Sequence, residues 1–311
     1  MPVDARDPLS ARLARRESGY LLFGLTPPRH SVASEEAQRI ADVTLDRLAG
    51  IDLDALLLYD IVDEPERTSV ERPFPFLPTL DPADYVARHL GAWAGSIVIY
   101  RCVGKYSEIE LDTWLHKQDS DRISAVFVGA ASREMQVQTT LPQAHALWRR
   151  SRPEVLLGGI AIPERHTTRA DEHDRLVAKA DRGCSFFVTQ VVYDAQAARN
   201  LVSDYYYACH DRGIQPAPVI FTLSVCGSLK TLEFLRWLGV DVPRWMENSL
   251  RHSHDTLAAS SQQCLATAYD LAGFCITLGM PFGFNVESVS IRKAEIDAAV
   301  DLAVRLRAEV L

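Results

Sequence analysis

Eight short β-type runs, several of them nearly all apolar, recur along this 311-residue chain, separated by longer stretches with helical spacing. They fall at Tyr20–Leu25 (YLLFGL), Leu53–Asp60, Ser96–Arg101 and Ile123–Gly129, then at Val155–Ile162, Cys184–Gln190, Pro218–Leu223 and Phe282–Val289. A strand with one wet face alternates apolar and polar residues. Several of these runs do not, as expected of strands buried on both faces in a parallel sheet covered by helices.

The intervening stretches carry helix signals. Ser34–Leu48 opens on a serine cap followed by Glu35 and Glu36, acids suited to a helix N-terminus. Asp194–Arg212 runs from an Asp cap to Gly213, and His254–Leu278 has no proline and stops at Gly279. Arg292–Leu311 reads as a closing helix. An open doubly wound sheet would also alternate in this way, but no G-x-G-x-x-G follows the first run, which leads into Thr26-Pro27-Pro28. With eight strands and no long linker, the chain is expected to be one α/β domain, a (β/α)8 TIM barrel spanning 19–311 after an N-terminal arm, 1–18.

Composition narrows the function classes. Apolar residues make up 47% and charged residues 24%, the balance of a soluble globular enzyme. A net charge of −8 argues against nucleic acid or an anionic membrane as partner. No apolar run nears the roughly 18 residues of a membrane span, and the polar start lacks a signal-peptide core. The six cysteines are scattered, without C-x-x-C or a Cys/His cluster, so reduced core thiols, no metal site and a cytoplasmic location are expected. A homo-oligomer is compatible with the sequence. The proline-rich loop at 61–78 follows the second strand, on the face where barrel active sites form. It reads as a lid or as solvated decoration.

Residues Arg175–Asp194 (RLVAKADRGCSFFVTQVVYD) resemble the segment L-x-x-K-x-x-x-G-A-x-x-x-I-T-Q-x-x-F-D of the methylenetetrahydrofolate reductase family. Lys179, Gly183, Thr189, Gln190 and Asp194 fall in step. Ile162–His166 (IPERH) is similar to that family's Y-P-E-x-H, Val240–Trp245 to its V-x-I-P-x-W, and Phe23–Pro28 stands where it has F-E-F-F-P-P. Gly279–Ser290 follows its G-V-P-G-L-H-F-Y-T-L-N with one residue inserted. The resemblance implies a barrel that handles a folate-bound one-carbon unit, using FAD and NAD(P)H to reduce 5,10-methylenetetrahydrofolate to the 5-methyl form.

The departures are as informative. Gly24 stands where that family has its catalytic Glu, and Val128-Gly129-Ala130 stands for its R-G-D. Ile99 replaces a His on the third strand, Ile162 replaces a Tyr, and Leu229 stands for the Phe that stacks on folate or nicotinamide. Tyr59, Lys179 and Glu164 are the candidate flavin-side groups left. Several polar contacts of about 1 kcal/mol each are missing, so tight FAD binding is expected to be lost.

The candidate catalytic residues are Glu164 with His166, read as a carboxylate–imidazole pair or a loop tether, together with Glu287, Asp60 and Asp63-Glu64. An acid inside a barrel is costly unless paired or functional, which singles out Glu287 as a replacement acid. For the substrate, Gln190 either meets the pterin edge with its amide or caps a neighbouring loop. Tyr59, Thr189 and Leu229 would line the same end, and Arg292 either meets the folate tail or lies on the surface. Lys179 either anchors an anionic cofactor group or is a solvated helix lysine. The expected activity is reduction of a folate-bound one-carbon unit. The alternatives are a folate-dependent methyl or methylene transferase and a non-catalytic folate binder.

Overall fold

In the computed structural model the described residues are 7–63, 71–130 and 136–311. Eight strands pair in sequence order, all parallel, and β1 (Tyr20–Leu25) closes on β8 (Phe282–Glu287) to complete a barrel. Between them run β2 (Ala55–Leu58), β3 (Ser96–Cys102), β4 (Ile123–Val128), β5 (Leu157–Ala161), β6 (Cys184–Val191) and β7 (Val219–Ser224). The expected TIM barrel is the fold.

The helices are α1 (Leu9–Ala14), α2 (Ser34–Leu48), α3 (Pro82–His89), α4 (Glu108–His116), α5 (Leu141–Ser151) and α6 (Pro163–Arg169). They continue with α7 (Glu172–Asp181), α8 (Ala195–Asp211), α9 (Leu229–Trp237), α10 (Arg244–His252), α11 (Thr256–Leu278) and α12 (Lys293–Glu309). The end signals hold at α8, capped by the Asp194 side chain, and at α11, closed by left-handed Gly279. At α2 the cap position is Ala33, one residue earlier than expected, and Ser34 begins the helix.

Strand alternation divides the core in two. Leu21, Phe23, Leu56 and Ile99 face the helical shell. Leu22, Leu57, Val98, Tyr100, Val126, Phe186, Val188 and Ile220 fill the barrel axis. Phe186 needs Gly158 beside it, because a Cβ there would stand 2.5 Å from the ring. Residues 7–18, the described part of the expected N-terminal arm, do more than that. Leu9 and Leu13 of α1 join the axial core, and the Leu9 amide donates to Ser96 Oγ, so α1 plugs the N-terminal end of the barrel. The polar residues of α1 had hidden this two-residue apolar stripe.

A third apolar cluster ties α9 and α10 to the ends of β6 and β7 through Val191, Cys226, Leu235 and Met246. The described part of the proline-rich loop reaches this unit. Phe74 packs edge-on against Phe234 of α9 at 5.5 Å, and the Arg72 guanidinium lies 4.6 Å from the Trp237 ring. Arg72 and Phe74 therefore join the loop after β2 to the helix after β7. Glu64 and the rest of 64–70 lie outside the described residues.

Candidate functional site

Because Asn285 and Glu287 alternate with Phe284 and Val286, both point into the barrel, one layer apart. Asn285 is fully buried and donates through Nδ2 to Tyr59 Oη (2.9 Å) and to Thr222 Oγ1 (3.3 Å). Its Oδ1 is buried and has no hydrogen-bond partner, and the same is true of Ser224 Oγ on the neighbouring strand. Ser224 and Glu287 are register partners. Unspent polar atoms in a buried pocket are costly unless something binds them.

Glu287 is 8% exposed. Burial pushes its carboxyl up to about 7, and the Tyr59 hydroxyl opposes the rise. Burial and the facing carboxylate in turn push the Tyr59 phenol well above its ordinary range. The Tyr59 ring rests edge-on against Tyr100 at 5.0 Å. Glu287, Tyr59, Asn285 and Ser224 thus form one polar cluster at the C-terminal end of the barrel, above an apolar axis. The cluster offers a carboxyl able to gain or lose a proton near neutral pH, an open carboxamide oxygen and a hydroxyl.

Gly24, where the sequence comparison expects an acid, borders this cluster. A Cβ on it would stand 3.0 Å from Tyr59 Cε2, 3.1 Å from Glu287 Cβ and 3.2 Å from Asn285 Oδ1. Space for a β1 side chain is taken by the β8 acid. Sequence reasoning found Glu287 and Tyr59 but missed Asn285, Thr222 and Ser224. The period-2 rule applied back from Glu287 would have found Asn285.

The other candidates are dispersed. Glu164 and His166 do not form a pair, since two residues along a helix point to different sides. Glu164 accepts from the Asp241 amide at 3.4 Å, while its Oε2 is buried without a partner. Burial raises its carboxyl to about 7, against the pull of nearby backbone N–H groups including that of Asp241. His166 instead turns outward, with Nε2 3.0 Å from Asp204 Oδ2 on α8.

Asp60 turns out of the mouth. Its carboxylate accepts from the Cys102 amide (2.8 Å) and Tyr106 Oη (2.9 Å) and pairs with Lys105, which makes it a joint between the β2 and β3 ends. Asp63 is exposed, 3.9 Å from Arg72. Gln190 points to the mouth, but Nε2 donates to the Leu238 carbonyl at 3.0 Å and Oε1 accepts from the Val191 amide, the loop-capping alternative. Thr189 patches an irregularity between β6 and β7, its Oγ1 accepting from the Thr222 amide at 2.9 Å. Leu229 is exposed at the start of α9, and exposed Arg292 lies 3.7 Å from Glu295.

Among the described residues, the positions that the resemblance assigns to flavin contacts offer few polar groups to FAD. The Lys179 ammonium donates to the Ile160 carbonyl and lies 3.7 Å from fully buried Glu172, so it braces β5. Ile99, set against a family histidine, faces the helical shell and not the mouth. Val128 and Ile162 present hydrocarbon, and Gly129 and Ala130 carry no side-chain polar group. Among the described residues no helix is long and apolar enough to cross a membrane.

A separate groove of about 570 Å³ lies between α8, α10 and α11. Trp245, 65% exposed, lines it, as do Gln262, Gln263 and the Arg199–Asp270 ion pair. Gln263 Oε1 is buried there without a partner.

No protein-family model and no curated protein matches the chain. Among solved structures, dihydropteroate synthase from Xanthomonas albilineans superposes with a TM-score of 0.44 at 10% identity, covering 94% of this chain and 93% of that one. The Plasmodium falciparum HPPK-DHPS protein gives 0.49 at 9% identity, covering 95% of this chain and 49% of that one. Both are too distant to bear on function. A protein from Clostridium thermocellum is of another order. It is 39% identical over 96% of this chain and 99% of its own, with a TM-score of 0.85, and it binds two copies of 5-methyl-5,6,7,8-tetrahydrofolic acid. Identity at that level over nearly the whole of both chains means that the chain belongs to the same family as this Clostridium thermocellum protein.

Proposed function

We propose that this chain binds a reduced folate carrying a one-carbon unit, with the pterin ring in the barrel mouth against Asn285, Glu287 and Tyr59. The observation that carries the reading is the 39% identical relative that binds 5-methyltetrahydrofolate. The mouth supplies matching chemistry. A pterin edge presents adjacent N–H donors, and Asn285 Oδ1 and Ser224 Oγ are buried oxygens without partners that can accept them. The apolar axis beneath them, topped by Tyr100, suits the ring face.

We further propose that the protein acts on the one-carbon unit and that Glu287 supplies the proton. Opening of 5,10-methylenetetrahydrofolate breaks the bond between the methylene carbon and N10. The amine leaves only when protonated, and an acid of pKa about 7 is poised to do this at neutral pH. The resulting N5 iminium takes hydride at carbon to become the 5-methyl group, with NAD(P)H as the direct donor and no flavin. A transferase would use the same mouth and a second substrate as acceptor.

A second copy would go to the Trp245 groove, where an exposed indole offers a stacking face and Gln263 an unspent amide oxygen. Calorimetric titration with 5-methyltetrahydrofolate tests the binding reading. Two equivalents should bind, and Trp245→Ala should leave one. Asn285→Ala should weaken the mouth copy by about tenfold or more. No binding to the parent protein would end the proposal. Oxidation of NAD(P)H that depends on methylenetetrahydrofolate and is lost in Glu287→Gln supports the reductase. Turnover only with an added methyl acceptor points to the transferase.

A further inference from the structure

Three helices outside the barrel bring His166 of α6, His173 of α7 and Asp204 of α8 together, so that one ligand atom from each lies within 4.8 Å of the others. None of the three lines the mouth. The rings of His166 and His173 meet edge to face at 5.3 Å. His166 is 5% exposed, and the buried Nδ1 atoms of both rings have no hydrogen-bond partner. His166 Nε2 is 3.0 Å from Asp204 Oδ2, a contact in which a proton occupies the place a cation could take.

We propose that His166, His173 and Asp204 form a divalent-cation site, best matched to Zn²⁺. Two imidazoles and one carboxylate suit this borderline ion, which binds nitrogen and carboxylate oxygen at about 2.0–2.2 Å. Ligand atoms around such an ion stand closer together than 4.8 Å, and small side-chain rotations close the difference. Asp204 is exposed, so solvent reaches the site and water completes the coordination. Asp174, whose Oδ1 is 3.5 Å from His173 Nε2, adds negative charge beside it.

The ion would fasten α6, α7 and α8 to one another, and α6 also carries Glu164. His166 and Glu164 leave this short helix on different sides, so a cation on the outer side would fix the helix from which the Glu164 carboxyl reaches Asp241. Holding several elements by metal ligation is how structural zinc contributes to folding stability.

The test uses the tag-free full chain and the metal alone. After treatment with chelator, addition of one equivalent of Zn²⁺ and dialysis, metal analysis should find about one Zn²⁺ per chain, and the thermal midpoint should rise by roughly 3 °C or more. Co²⁺ in its place should give the intense visible bands of four-coordinate geometry. His173→Ala and Asp204→Asn, at partly buried and half-exposed positions that should fold normally, should each weaken Zn²⁺ binding by about tenfold or more. Less than a tenth of an equivalent retained, or equal retention by both variants and the parent chain, overturns the site.

Discussion

Gly24 of β1 and Glu287 of β8 are register partners across the seam that closes the barrel, and the Glu287 Cβ lies 3.1 Å from where a Cβ of residue 24 would stand. One acid can occupy this part of the mouth, and the chain delivers it from β8. Under the proposed function, this explains how an expected β1 acid can be absent without the mouth lacking one. Restoring it should do harm. Gly24→Glu must displace Tyr59 or Asn285 and adds a second carboxyl beside Glu287, so a loss of about 1–3 kcal/mol is expected from overpacking. Urea denaturation measures it, and a variant as stable as the parent would mean that the cluster is loosely packed.

The same burial makes stability depend on pH. Glu287 holds its proton up to about 7, against an ordinary 4.5. The folded form therefore binds more protons than the unfolded chain between those values. This contribution is fully present below pH 4.5 and is lost as pH rises through about 7, at a cost of about 3 kcal/mol. Glu164, also raised to about 7, acts in the same sense. Denaturation series from pH 5 to 8.5 should show stability falling with pH. Glu287→Gln should flatten the curve and exceed the parent at pH 8.5, and an unchanged slope would assign the dependence elsewhere.

Asp60 should prove structural. Asp60→Asn removes the ion pair to Lys105 and weakens the contacts to Cys102 and Tyr106. A loss of about 1–3 kcal/mol is expected, with folate affinity changed less than threefold. Thermal unfolding and calorimetry read the two effects separately. Normal stability with lost affinity would return Asp60 to the binding site.

Gln190 and Asn285 should differ in weight. The Gln190 amide is committed to Leu238 and Val191, whereas Asn285 keeps an oxygen open in the mouth. Gln190→Ala should cost only a few-fold in folate affinity and loosen the loop after α9, detectable as faster amide exchange near Leu238. Asn285→Ala should cost about tenfold or more. The reverse order would show that the Gln190 amide turns to the ligand on binding.

The sequence by itself determined the barrel. Eight apolar runs separated by amphipathic stretches have few ways to bury both faces of every strand, and the Asp194 cap and the Gly279 stop follow from local backbone chemistry. It also singled out Glu287, because an acid within an apolar strand stands out in one dimension. Pairing is a different kind of information. Glu164 and His166 are neighbours in sequence, yet helix geometry turns one toward Asp241 and the other toward Asp204, 38 residues further along. Asp60 looks free until Lys105 and Tyr106 are seen around it, and Gln190 until Leu238 is. Asn285 stood out less than the acid next to it. Its importance comes from Tyr59 and Thr222, brought to it by strands that are remote in sequence. Periodicity is local and is therefore written in the chain. Which polar atoms are satisfied, and which are left for a ligand, depends on register and closure, and only the tertiary structure decides those.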